Sequence, residues 1–211
     1  MHGMLNWLLS EGWEKSRSGM HIRSGETTLN ASAFVVGPRT GASAALLDLA
    51  RVVGFDAVER FTGLNAVEKQ LRETPLCFFL CAEVPDVTKL KPIAESIRFS
   101  PSADIRFSPL IYFSRTLSIE TTKLCIRMGF DDVIALPYTS GDLSERIFRQ
   151  VGHMQTYYET ATYFGPDRRN RAGNPRSSGS DHGGGEFRRI EIMRNPLTGI
   201  DVLRDDFQVV L

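Results

Sequence analysis

The chain has 211 residues, 42% of them hydrophobic and 24% charged, and its 25 basic residues balance 25 acidic ones. This describes a soluble globular protein with one domain of ordinary size plus a substantial appendage. A net charge of zero gives no global field toward nucleic acid or a membrane surface, and no apolar run approaches the ~20 residues of a membrane span. Cys77, Cys81 and Cys125 are odd in number and lack metal spacing, which fits reduced thiols and a cytoplasmic location. The four histidines show no ligand spacing either, so neither a metal nor a cofactor is expected.

Residues 1–30 read as an N-terminal arm in which Gly, Ser and charges are mixed, with an amphipathic turn around Leu5 and Leu8. The short greasy patch there lacks a basic leader and a cleavage site, so no signal peptide is expected. From Ala31 the pattern becomes regular. Residues 33–36 are an apolar run stopped by Gly37-Pro38, as a buried strand would be. Ser43 is placed to cap a helix that carries Leu46, Leu49, Ala50 and Val53 and ends at Gly54. A strand at 57–61 follows, then a helix opened by Asn65 and Glu68 in a capping-box spacing. Residues 76–81 form the third strand and 87–97 the third helix. Strands at 110–113 and 132–136 bracket a helix capped by Ser118, and Asp142 opens the fifth helix. Ile97-Arg98-Phe99-Ser100-Pro101 recurs at 105–109, which reads as a lengthened loop before the fourth strand.

Five strands alternating with five helices predict a doubly wound, five-stranded parallel sheet of flavodoxin-like α/β architecture over residues 31–153. Leu143, Ile147, Val151, Met154 and Tyr158 hold a helical stripe, so the fifth helix is expected to outrun this domain. Residues 154–186 are read as that helix extension followed by a flexible Arg/Gly-rich linker, and 187–211 as a small β-hairpin tail around Asn195-Pro196 and Gly199.

The run Leu-Cys-Phe-Phe-Leu-Cys at 76–81, with Pro85 four residues on, resembles the strand of a response-regulator receiver that ends in the phosphoacceptor aspartate. Tyr112-Phe113-Ser114 resembles that family's fourth strand, Met128 to Ile134 its turn into the fifth, and Pro137-Tyr138 its proline-aromatic pair. Phosphorylation in that family implies a carboxylate nucleophile, an acidic pair holding Mg²⁺, and a hydroxyl and a lysine on the phosphoryl group. Carried over position by position, the nucleophile falls on Cys81, the acidic pair on Gly37 and Pro38, the lysine on Leu136 and the hydroxyl on Ser114. Only Ser114 keeps the required chemistry, and Glu83 and Asp86 do not replace the metal pair. The resemblance therefore implies a pseudo-receiver without a phosphorylation site.

A second feature is Tyr163-Phe164-Gly165-Pro166-Asp167-Arg168-Arg169-Asn170-Arg171, which resembles the tails of alphaproteobacterial receiver proteins. Arg168, Arg169 and Arg171 offer bidentate contacts to phosphate or carboxylate, so an anionic partner is expected there. Taken together, the residues predict a non-enzymatic signalling module that works through protein contacts, with a signalling protein or a second copy of the chain as partner. One alternative is an effector that binds a nucleotide second messenger through the arginine arm; another is a phosphorelay receiver with a displaced acceptor. Sequence-specific DNA binding is disfavoured, because no helix-turn-helix pattern occurs.

Overall fold

Residues 77–81 and 110–114 are buried at every position, the pattern of central strands covered on both faces. A computed structural model describes residues 20–23, 26–137, 140–167 and 185–210 and places these runs in the middle of a six-stranded sheet. The first sheet contains β1 (Met20–Arg23), β2 (Glu26–Val36), β3 (Phe55–Arg60), β4 (Cys77–Cys81), β5 (Leu110–Ser114) and β6 (Asp132–Ala135). Its five parallel strands run in the order β3-β2-β4-β5-β6, and β1 adds to β2 antiparallel. This is the doubly wound, flavodoxin-like order of receiver domains, with the chain reversing direction across the sheet between β2 and β4.

Period-two alternation divides the sheet into two cores. Ala33, Val35, Phe78, Leu80, Ile111 and Phe113 face α1 (Gly41–Val53) and α6 (Ser140–Phe148). Phe34, Val36, Phe79, Cys81, Leu110 and Tyr112 face α2 (Leu64–Gln70), α3 (Lys91–Arg98) and α5 (Ile119–Arg127). Each fully buried Val, Leu, Ile or Phe among them contributes about 1.5–3 kcal/mol relative to exposure. Two further short helical pieces lie in the connections, a 3₁₀ turn at Val87–Leu90 and α4 (Ala103–Arg106). No helix among the described residues is long and apolar enough to cross a membrane.

A second sheet follows, built from β7 (Met154–Glu159), β8 (Phe164–Pro166), β9 (Gly185–Asn195) and β10 (Gly199–Val210). It is antiparallel in the order β10-β9-β7-β8. This sheet sits at the amino edge of the parallel one. Asn30, in β2 just before its pairing with β4 begins, donates to the Pro196 carbonyl at 2.8 Å, and Arg194 donates to the carbonyl of Phe107, which precedes β5.

Several expectations are corrected. The fifth helix does not extend to Tyr158. It stops at Phe148, Gly152 turns the chain with φ 73°, and residues 154–159 are strand. Gln155, Thr156, Tyr157 and Tyr158 include β-branched and aromatic residues that suit a pleated surface, and Met154 is exposed, so the helical stripe ends at Val151. The C-terminal hairpin is longer than expected and is half of a four-stranded sheet, because β7 supplies a partner for β9. Residues 20–23 and 26–30 are not a loose arm, since they form the β1–β2 hairpin. Within the linker, residues 164–166 are β8; residues 168–184 lie outside those described. Thr40, not Ser43, is the N-cap of α1, and Gly63 occupies the N-cap of α2. Ser43 is instead buried in the first turn of α1.

Candidate functional site

In an open α/β sheet the crevice beyond the carboxyl ends of the strands, at the point where strand order reverses, is the natural place for a site. Here that crevice measures about 1070 Å³ and is walled by Pro38, Leu46, Ala82, Glu83, Phe113 and Leu136. Of the sequence-predicted positions, Pro38 and Leu136 border it together, and Leu136 precedes Pro137 through a cis peptide bond. Cys81 does not serve it. The residue is 1% exposed and belongs to the core beneath α5, where burial, with a smaller effect from neighbouring Cys125, pushes its thiol far above the ordinary range. Such a thiol is protonated and inert as a nucleophile. Burial likewise pushes Cys77 up to about 12.

Ser114 ends β5 and is itself buried, with its hydroxyl donating to Glu83 Oε1 at 2.9 Å. The same oxygen accepts the backbone N–H of Arg115 at 3.0 Å, and Arg115 Nε donates to Oε2 at 2.8 Å. Thr116 adds longer bonds from its N–H and its hydroxyl. The Arg115 guanidinium, helped by the Ser114 hydroxyl and the backbone N–H groups against a smaller opposing effect of burial, holds the Glu83 carboxyl down at about 2. Glu83 is thus an anion captured by the donors at the end of β5. Its position two residues after Cys81 was visible in the sequence, but nothing local in the chain pairs it with residues 31 positions away.

The receiver resemblance implies a Mg²⁺ ion, and the residues present do not fit one. Gly37 and Pro38 carry no carboxylate, and Gly37 has φ 148°, which disfavours any side chain. A Cβ at Gly37 would lie 2.9 Å from Ser43 Oγ and 3.0 Å from Ala82 Cβ, so the position is closed to an aspartate by packing as well. Among the described residues, no group of three His, Cys, Asp or Glu could hold a metal ion.

At the opposite edge lies a polar cluster that sequence reasoning missed. Asp131, which precedes β6, is flanked by Arg98 Nη2 at 2.5 Å and Arg194 Nη2 at 2.7 Å, and all three side chains are at most 2% exposed. Tyr157 donates its hydroxyl to Asp131 and accepts from Arg194. The other guanidinium nitrogens are used as well: Arg98 bonds the carbonyls of Gly129, Arg106 and Ser108, while Arg194 bonds Phe107, Gln150 and Gln155. Burial raises the Asp131 carboxyl, but Arg194 and Arg98 overcome it and hold it at about 2.

The internal repeat finds its reason here. Ile97 and Ile105 are buried in the core, Arg98 enters the polar cluster, and Arg106 lies 4.2 Å over the Phe164 ring. Phe99 and Phe107 approach that same ring at 6.4 and 5.5 Å. The two copies form a cradle for the start of the Phe-Gly-Pro-Asp-Arg-Arg motif. Gly165 completes the fit, since a Cβ there would lie 2.8 Å from Gly129 Cα. Phe164, Gly165 and Pro166 therefore act in packing; Arg168, Arg169 and Arg171 lie outside the described residues.

No protein-family model matches the sequence, and no curated protein matches it significantly. Solved structures with a similar fold include the receiver domain of a sensor histidine kinase from Pseudomonas aeruginosa, at 19% identity over 56% of this chain and 94% of that one, with a TM-score of 0.40. A CheY-like protein from the same organism gives 14% identity, coverage of 57% and 98%, and a TM-score of 0.44. The signal receiver domain of a response regulator from Bermanella marisrubri gives 17% identity, coverage of 58% and 98%, and a TM-score of 0.42. It is the strand order of the sheet itself that makes the fold of this chain receiver-like.

Proposed function

We propose that this chain is a non-enzymatic signal-transduction module, a receiver-like domain that accepts no phosphoryl group and acts through contact with another signalling protein. The observation that carries this reading is the Glu83–Ser114–Arg115 cluster. In the family the sequence resembles, the hydroxyl at the end of this strand contacts the phosphoryl group. Here a built-in carboxylate takes that hydroxyl and the neighbouring N–H groups, so the donors are committed before any ligand arrives. Cys81, at the acceptor position, is a buried neutral thiol. A displaced acceptor at Glu83 is disfavoured for the same reason, because both of its oxygens are already bonded. The partner surface we favour is the face of α5, β6 and α6. Leu117 and Ile119 at its rim are 41% and 70% exposed, more than their packing needs.

Treatment with acetyl phosphate and Mg²⁺ tests this directly. Intact mass should show no added phosphoryl group, and beryllofluoride should leave the near-ultraviolet spectrum unchanged. Saturable beryllofluoride binding, or a phosphoryl adduct labile to hydroxylamine, would overturn the reading.

A further inference from the structure

Strand β10 spans Gly199–Val210 and pairs with β9 along its whole length, with one bulge between Val202 and Arg204. It is the terminal strand of its sheet, and among the described residues nothing pairs with its outer edge. Val202, Leu203, Phe207 and Val209 are each about half exposed or more, from 47% to 65%. Long edges of this kind invite another strand unless charge or shape forbids it.

The charges on β10 select the occupant. Arg204 lies opposite Glu191 of β9, and Asp206 lies opposite Arg189. Arg189 also pairs with Glu191 at 2.5 Å, and Arg204 with Asp206 at 2.5 Å. Signs thus alternate both along each strand and across the pair. The sequence around Asp205 continues this pattern when read against itself in the antiparallel sense, because Leu203 meets Phe207 and Arg204 meets Asp206. A row would then read Arg189, Asp206, Arg204 of the partner subunit, Glu191 of the partner subunit. The one like-charge meeting, Asp205 with itself on the axis, is already compensated, since Arg188 grips both oxygens of Asp205 at 2.5 Å. Opposite charges and apolar pairs directly across strands favour a register, and centring the axis on Arg204 or Asp206 instead would forfeit the two Arg204–Asp206 pairs and set Arg204 or Asp206 against its own copy.

We propose that two copies of this chain join β10 to β10 antiparallel about a two-fold axis at Asp205, extending the second sheet from four strands to eight. This interface lies at the far end of the molecule from the carboxyl-edge crevice and does not depend on the function proposed for that crevice. A two-fold contact is self-complementary by construction, as this strand is.

Sedimentation equilibrium on the full chain should give twice the mass of one chain at micromolar concentrations. Arg204→Glu places an acid opposite Asp206 of the partner subunit, and Asp206→Arg places a base opposite the partner subunit's Arg204. Each variant alone should weaken association at least tenfold, and mixing the two should restore a heterodimer, because both contacts then pair opposite charges. Asp205→Cys supplies an independent reading, since it should form an intermolecular disulfide under mild oxidation while Asp201→Cys should not. A monomeric wild-type chain overturns the proposal, and with it any second copy as occupant of this edge. Equal cross-linking at the two cysteine positions, or folded charge variants that fail to recombine on mixing, overturns it as well.

Discussion

Arg194 reaches Asp131 across 63 residues of sequence and meets it at 2.7 Å, with neither side chain more than 2% exposed. The carboxylate sits between two guanidiniums, which also donate to backbone carbonyls, side-chain amides and the Tyr157 hydroxyl. Buried charges persist only when paired and hydrogen-bonded in this way. The cluster therefore joins the two sheets through groups that neither sheet could bury alone.

Asp131→Asn should be among the most damaging single substitutions in the chain. It leaves Arg98 and Arg194 facing each other in a dry site, and breaking a buried pair costs about 3–5 kcal/mol. Urea unfolding at neutral pH measures the loss; a cost under about 1 kcal/mol would show that water reaches the cluster.

The same carboxylate sets an acid limit. It titrates near 4 in an unfolded chain and at about 2 in the fold. Because the folded value is the lower one, its contribution is complete above about pH 4 and drains away as pH falls toward 2, by roughly 2–3 kcal/mol. Glu83, also held at about 2, drains in the same window. Comparing urea midpoints at pH 5 and pH 2.5 for wild type and for Asp131→Asn isolates the Asp131 share. An identical drop in both proteins would assign the acid sensitivity elsewhere.

Gly165→Ala tests the close approach of β8 to the turn before β6. The added methyl would meet Gly129 Cα at 2.8 Å, where the obstacle is backbone and cannot swing aside. Overpacking of this kind costs about 1–3 kcal/mol. The expected result is a lower melting temperature with an unchanged far-ultraviolet spectrum. A melting temperature equal to wild type would mean that the two strands separate freely.

The parallel sheet was legible in the chain because buried strands read as unbroken apolar runs, and 76–81 and 110–113 are such runs. The cap at Ser118 was legible too, and the structure shows it accepting the Thr121 N–H. At 143–158 a helical spacing of apolar residues coincided by chance with the alternation of a strand, and only the pairing of β7 with β9 decides between them. The repeat was visible, but its use was not, because its phenylalanines face a ring more than 50 positions later. Cys81 and Ser114 could be placed by pattern. The bond from Ser114 to Glu83 could not, since it joins the ends of two strands that only the fold brings side by side.

The lateness of Arg194 in the chain bears on how the protein is made. Chains emerge from the ribosome N-terminal end first, and early segments begin to fold as they appear. Strands β2 to β6 are synthesised while the cover for their amino edge is still unmade. Until β9 arrives, Asp131 has Arg98 but lacks Arg194, and the carbonyl of Phe107 lacks the Arg194 donor. Nascent chains, or chains terminated before β9, would expose this gap to proteases and chaperones.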